Sequence, residues 1–156
     1  MTIDIGISEE NRIAVAEALK KTLADTYAVY MKTHGYHWNV QGPDFRTLHL
    51  MFEEQYTEMW QALDELAERI RALGVFAPGS GRELAELTAI EETNDRVPEA
   101  RQMVVNLLKD QETLIRRARE AMEVADDADD DASEDLLTQR IQIHEKTAWM
   151  LRSYLA

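Results

Sequence analysis

The chain has 156 residues, and its 17 Lys and Arg against 30 Asp and Glu give a formal net charge of −13 at pH 7. This length suits one domain with a sizeable core. The acidity argues against a phosphate-binding surface, which needs clustered Lys and Arg, and it suits a protein that handles cations. Cysteine is absent, which excludes disulfides, thiolate metal sites and Cys nucleophiles.

Targeting signals are not evident in the chain. Residues 1–10 contain no basic residue, and no long uncharged apolar run occurs. A secretory signal combines a basic start with an apolar core, and a membrane helix needs about 20 apolar residues. We therefore expect a cytoplasmic protein without membrane contact, with one domain over 1–156 that includes a short N-terminal extension at 1–8.

The distribution of Gly and Pro predicts the first two helices, because residues 7–34 and 44–73 contain neither. The first helix is expected to begin at a Ser8 cap and to end between Gly35 and Gly42-Pro43. The second is expected from about Asp44 to Leu73, with Gly74 as its stop. Apolar and aromatic residues at three- and four-residue steps predict the buried face of the first helix: Ile13, Ala16, Leu19, Leu23, Tyr27, Tyr30 and His34.

The second half of the chain predicts a long connection, a short helix and two more long helices. The short helix is expected from about Glu83 to Ala89, and Pro98 suits the start of the third long helix. Seven of the ten residues in 126–135 are acidic and predict a break. The last helix then runs from about Ser133 to Tyr154. The fold is thus an all-α, ferritin-like four-helix bundle with a short extra helix in the crossover between the second and third helices.

Four potential metal ligands share one face of the second helix at about 100° per residue: His49, Glu53, Asp64 and Glu68. His49 and Asp64 are fifteen residues apart, roughly 22 Å along a helix, so they cannot bind one ion within one chain. Two copies packed antiparallel about a two-fold axis would place His49 opposite Glu68 and Glu53 opposite Asp64. With the axis near residues 58–59, the side chains expected to be buried between the copies are Tyr56, Met59 and Trp60.

Each of these residues also has an ordinary interpretation. A single pair of acids four residues apart is usually a polar surface stripe. His34 either supports the orientation of His37 from one turn away or is a polar residue at the end of its helix. His144 is far from both motifs and is expected to be structural.

Two motifs carry a family resemblance. The stretch His37-Trp38-Asn39-Val40-Gln41-Gly42, followed by Leu48-His49 and Glu53, resembles one signature of the Dps family of ferritin-like miniferritins. The stretch Leu63-Asp64-Glu65-Leu66-Ala67-Glu68-Arg69, followed by Leu73-Gly74, resembles the other.

The resemblance implies a hollow twelve-subunit shell that oxidises Fe(II) at sites shared between two-fold-related subunits. By motif position, one subunit contributes His37, His49 and Glu53, where the family commonly has Asp in the last position. The partner contributes Asp64 and Glu68, and Trp38 matches an oxidisable aromatic beside the site.

The resemblance further implies a ferroxidase that uses hydrogen peroxide and stores ferric mineral, which protects the cell from oxidative damage. Imidazole and carboxylate ligands suit Fe(II), with Zn and Mn as competitors. Shells of this family have acidic pores lined by the start of the last helix. The residues that match this place are Asp130, Asp131 and Asp135.

Three rival functions fit the sequence less well. Compaction of nucleoid DNA usually needs a Lys- and Arg-rich tail, but residues 1–10 have no basic residue and Ser153–Ala156 ends the chain without one. We therefore expect no direct DNA binding near neutral pH, leaving low-pH and metal-bridged binding open. A conventional ferritin site inside each bundle needs Glu-x-x-His, which does not occur. A helical scaffold without metal chemistry leaves the paired motifs unexplained.

Overall fold

The computed structural model describes residues 2–92 and 96–156, and within these residues the only regular elements are helices. Four long helices form the bundle, and a fifth, short one lies in the crossover. The all-α, ferritin-like prediction is confirmed. The helices in chain order are α1 (Glu9–Asn39), α2 (Phe45–Ala72), α3 (Gly81–Leu87), α4 (Ala100–Asp127) and α5 (Asp131–Leu155).

The bundle core is apolar at both ends. α1 packs against α2 and α4, and α4 packs against α5, while α3 lies against α1. One cluster joins Leu19 of α1, Leu66 of α2 and Leu137 of α5, all fully buried. Each such side chain stabilises the fold by about 1.5–3 kcal/mol through burial. The cluster at the other end contains Tyr36, Val40, Leu48, Phe52, Met103, Val104, Leu107 and Leu151.

Local capping sets the helix boundaries. The Ser8 hydroxyl accepts a hydrogen bond from the Asn11 amide, as predicted. Gly74 follows α2 with φ +91°, and a Cβ there would lie 2.2 Å from Cδ1 of Ile3, so this stop requires glycine. The predicted helix at Glu83–Ala89 begins two residues earlier, because Ser80 and Glu83 form a capping box.

The buried face of α1 differs from the prediction. Ile13 is 45% exposed, and Tyr27, Tyr30 and His34 are only partly buried. Because α1 contacts both α2 and α4, its buried surface is wider than one stripe and includes polar side chains. The buried polar residues of α1 are Arg12, Thr22, Asp25, Thr26, Thr33 and His37.

Asp25 anchors the crossover to the bundle. Its side chain is fully buried and lies 3.0 Å from Nε of Arg117 on α4. The same carboxylate accepts hydrogen bonds of 2.8 Å from the Thr88 hydroxyl and the Ala89 amide. Arg117 also donates to the Leu87 carbonyl. One buried carboxylate therefore fixes the segment after α3 against α1 and α4.

The acidic run makes a shorter break than predicted. α4 continues through Asp127 and α5 begins at Asp131, so only residues 128–130 lie between them. Asp129 has φ +55°, which turns the chain. Arg69 of α2 donates 2.6 Å to the Asp130 carboxylate, which also caps α5 at the Ser133 amide. This ion pair and cap offset part of the repulsion among the acids.

In the part of the chain that the structure describes, no helix is long and apolar enough to cross a membrane.

Candidate metal centre

His37 and His49 form a reciprocal pair where the end of α1 meets the start of α2. Their rings stack with centroids 3.8 Å apart and 14° between planes. Nδ1 of His37 lies 2.7 Å from the His49 carbonyl oxygen, and Nδ1 of His49 lies 2.7 Å from the His37 carbonyl oxygen. Each imidazole is thus held by the backbone of the other residue.

This arrangement fixes the chemistry of both rings. A carbonyl oxygen can only accept, so each Nδ1 carries the proton. In the neutral imidazole each Nε2 then has a free lone pair, the form in which histidine binds a metal. The pair therefore supplies two oriented nitrogen donors before any ion arrives.

An aromatic cluster packs beside the pair. The ring of His34 stacks on Tyr56 with centroids 3.8 Å apart, and Nδ1 of His34 lies 3.1 Å from the Tyr30 hydroxyl. The Tyr56 ring centroid is 5.1 Å from that of His37. Burial lowers the pKa of His34 below 6.5, and His37 lowers it further. His34 is thus neutral near pH 7 and held by aromatic contacts, a role that the spacing of Tyr30 and His34 at i and i+4 could have indicated.

Of the predicted carboxylates, Glu53 lies one turn after His49 on α2, while Asp64 and Glu68 lie several turns further along the helix. Glu53, Asp64 and Glu68 are exposed on α2, and α2 is one uninterrupted helix. Asp64 is therefore roughly 22 Å from His49 along the axis. Among residues 2–92 and 96–156, no group of three or more His, Asp or Glu side chains within one chain is arranged to hold a metal ion. The structure brings His37 and His49 together and leaves the three acids at the surface.

The predicted interface residues divide into two sets. Trp60 is 60% exposed, and Tyr56 is partly buried on the same face. Met59 differs from the prediction, because it is 1% exposed and packs inside its own bundle with Val29 and Leu114. Met59 is one residue, or about 100°, away from the face of Trp60.

The comparisons with known proteins agree with this architecture. The sequence model of the ferritin-like domain matches residues 16–156. DNA protection during starvation protein 2 of Bacillus anthracis is 40% identical over 141 residues, covering 90% of this chain and 96% of that protein. The solved DPS protein of Vibrio cholerae O1, described as a member of a superfamily of ferritin-like diiron-carboxylate proteins, has a TM-score of 0.93 at 34% identity and covers 99% and 97% of the two chains. Dps from Staphylococcus aureus has a TM-score of 0.87 at 38% identity, with coverage of 91% and 95%.

The chain belongs to the Dps family of ferritin-like proteins.

The acids matched to a Dps pore do not share one environment. Asp131 and Asp135 are exposed on the first turns of α5. The Asp130 side chain is 1% exposed and is occupied by Arg69 and Ser133. In this protomer Asp130 is therefore a buried helix cap. This position differs from the expectation that its side chain lines an acidic pore.

A second polar cluster, which we call the interior network, lies inside this Dps bundle. Arg140 of α5 donates from Nη1 and Nη2 to the Glu58 carboxylate of α2, the second contact being 3.0 Å. Nη2 of Arg140 also lies 2.9 Å from Nε2 of His144, and Nδ1 of His144 lies 2.7 Å from Oε1 of Gln111. Arginine only donates, so Nε2 accepts and Nδ1–H donates to Gln111.

The interior network makes stability depend on pH. Burial and the adjacent Arg140 hold the pKa of His144 well below 6.5. The unfolded chain therefore takes up a proton that the folded chain does not, so stability is full above about pH 6.5 and falls as the pH drops, by up to about 1.4 kcal/mol per pH unit. Denaturant titrations between about pH 7.5 and about pH 5 give the free energy of unfolding at each pH. We expect this free energy to fall less steeply with decreasing pH for His144→Gln than for the parent. Equal slopes would contradict this assignment.

Proposed function

We propose that this Dps-family protein oxidises Fe(II) with hydrogen peroxide and stores the ferric product in a hollow dodecamer. The observation that carries this proposal is the His37–His49 pair, whose two Nε2 lone pairs are free and oriented. The ferritin-like fold and the diiron-carboxylate description of a structural neighbour support iron as the substrate.

The proposed centre is completed by a second copy of the chain. Antiparallel packing of two α2 helices about an axis near residues 58–59 brings Asp64 and Glu68 of the partner subunit to His49 and Glu53. The geometry of a single chain supports a shared centre, because α2 keeps His49 and Asp64 roughly 22 Å apart, too far for them to bind one ion. Exposure of Trp60 on the same face supports an interface there, because Trp is enriched at interface centres.

Two imidazoles and several carboxylates form a nitrogen and oxygen donor set that suits Fe(II), with Zn²⁺ and Mn²⁺ as competitors. In the proposed reaction two ferrous ions each give up one electron, the peroxide O–O bond breaks, and two protons complete two waters. Fe(II) and peroxide are thus removed together, which lowers oxidative damage. Trp38 follows the ligand His37 directly, is 57% exposed, and its ring centroid lies 4.2 Å from that of His34. We propose that Trp38 is oxidised beside the centre in place of reactions in bulk solvent.

Anaerobic titration with Fe(II) followed by peroxide tests the proposal. We expect Fe(III) absorbance to rise quickly, with consumption of one peroxide for two ferrous ions, and light scattering to report a mineral-filled shell. Oxygen added in place of peroxide is the comparison. A rate with peroxide equal to that of free Fe(II) and peroxide under the same conditions would contradict the proposal.

Trp60→Ala is expected to weaken the α2–α2 contact. Truncating a central tryptophan typically costs about 2 kcal/mol or more, so the dimer dissociation constant should rise by roughly 30-fold. Trp149, 59% exposed on α5, is the matched control whose replacement should leave that constant unchanged. Sedimentation under conditions that separate the shell into dimers measures both. An unchanged constant for Trp60→Ala would reject this pairing.

Asp131 and Asp135 are the residues that we propose for a cation pore. Replacing both with Asn is expected to slow uptake at low Fe(II), because fewer carboxylates attract the ion. The difference from the parent should shrink as ionic strength rises, since salt screens the attraction. Asp130→Asn is the contrasting variant, expected to lower stability through the lost cap and the pair with Arg69. Parental uptake by the double variant at low salt would exclude the pore role.

Binding of DNA is the second candidate function, because relatives carry the name DNA protection during starvation protein. A net charge of −13 per chain opposes direct contact with phosphates. We expect no shift of DNA in gels near neutral pH at physiological salt, with Mg²⁺ and low pH as separate arms. A shift at neutral pH without Mg²⁺ would establish direct binding.

A further inference from the structure

Two hydrogen-bond acceptors of the interior network, Glu58 and His144, converge on one guanidinium. Nη2 of Arg140 lies 3.0 Å from a Glu58 oxygen and 2.9 Å from Nε2 of His144. Carboxylate oxygen and imidazole nitrogen are also the donors that bind divalent transition metals in proteins. The positive charge they surround here belongs to the chain itself.

His144 already has the form of a metal ligand. Its Nδ1–H is bonded to Gln111, which fixes the ring and leaves the Nε2 lone pair for the cation in front of it. His144 and Gln111 are each 1% exposed, so the ring cannot turn toward solvent. Glu58 reaches the same cation from the opposite helix, with its own side chain 35% exposed.

Arg140 of the network itself and Gln55, one turn before Glu58 on α2, carry buried polar atoms without a partner in the described part of the chain. Both amide atoms of Gln55 are buried and have no hydrogen-bond partner among the residues that the structure describes. Gln55 lies one turn before Glu58 on α2, so the two side chains are neighbours. Nε of Arg140 is also buried without a partner within the described residues. An unpaired buried amide is costly, and its oxygen is of a type that also binds metal ions.

We propose that the Arg140 guanidinium is a built-in cation that fills a metal position inside the bundle. Glu58 and His144 are the ligands of that position, and a divalent transition metal binds there once the guanidinium is removed. Arg140 thereby keeps metal ions out of the bundle interior and decides where in the protein they bind. This proposal is independent of the shared centre, because it concerns side chains of α2, α4 and α5 within one chain.

Arg140→Ala with Co²⁺ as the probe tests the proposal. We expect one additional Co²⁺ per chain relative to the parent, a new cobalt absorption spectrum, and a rise of roughly 5 °C or more in Tm at saturating Co²⁺. Arg140→Lys retains a cation and is the matched control, expected to bind no additional Co²⁺. An Asp64→Ala background weakens cobalt binding at the proposed shared centre and should leave the additional ion in place.

The location of the additional ion is tested by Arg140→Ala combined with His144→Ala, which should lose it. Additional cobalt that persists in this double variant, or none in a folded Arg140→Ala protein, would overturn the proposal. Arg140→Met, closer in volume to the parent, is a second variant and should also gain the ion. If Arg140→Ala is unfolded, refolding with Co²⁺ should recover it, and failure of both variants to fold with Co²⁺ would equally overturn the proposal.

Discussion

A mixture of two inactive variants is expected to regain part of the oxidation activity. The rate of rapid Fe(II) oxidation should fall by about 100-fold or more in His49→Ala and in Asp64→Ala. Even groups that only hydrogen-bond to the ligands of a metal site contribute about 10–100-fold. In a two-fold dimer of one variant with the other, one centre lacks both residues and the second is intact. Co-expressed at equal levels, the two variants should show about a quarter of the parental rate, because half the dimers are mixed.

Differently tagged chains allow the mixed assemblies to be purified and the initial rate of Fe(III) formation to be measured. The control is a mixture made after separate assembly, which should stay inactive because no dimers exchange. A purified mixed shell without activity would contradict a centre built from two chains. Activity in either variant alone would show that its residue is not a ligand.

The second large effect is expected at Asp25. Asp25→Ala removes the buried partner of the ion pair with Arg117 and leaves the Thr88 hydroxyl and the Ala89 amide without their acceptor, while Arg117 keeps its bond to the Leu87 carbonyl. Breaking a fully buried pair from one side costs about 3–5 kcal/mol, and the 23% exposure of the Arg117 side chain places the expected loss at the lower end, about 3 kcal/mol. The midpoint of urea unfolding should fall accordingly, and the amides that follow α3 should exchange hydrogen faster.

Glu17→Ala is the matched control for Asp25. Glu17 pairs with Lys20 on the surface of the same helix, 53% exposed, so its loss should change stability by no more than about 0.5 kcal/mol. Both variants must be compared at one protein concentration, because association adds to apparent stability. An Asp25→Ala midpoint within error of the Glu17→Ala midpoint would show that the crossover does not depend on this anchor.

Helix boundaries were predictable where local chemistry decides them. Ser8, Gly74 and the breaker-free runs between them locate α1 and α2 to within a few residues. The break near 126–135 was predictable in place but not in length. The break is three residues long, and Asp130 within it is held by Arg69. Arg69 is 61 positions before Asp130, and no local signal in the sequence marks it as a partner.

The site was predictable in part, because helical spacing shows which residues share a face and cannot show what lies opposite. His49, Glu53, Asp64 and Glu68 occur on one face of α2 as expected. The spacing did not reveal that backbone carbonyls hold His37 and His49, since every residue has a carbonyl. The spacing also predicted Met59 at the two-fold axis. Met59 is one residue before Trp60, and the helical rotation of about 100° between them places Met59 inside its own bundle.

The reciprocal anchoring of His37 and His49 has a consequence for how this protein tolerates substitution. Each ring is held by a main-chain oxygen, and every amino acid supplies that atom. Replacing one histidine therefore removes its own donor and its stacking but leaves the acceptor that orients the other ring. Sequence drift at either position can then remove one ligand without misplacing its neighbour, so the remaining imidazole stays available for the evolution of a different metal preference.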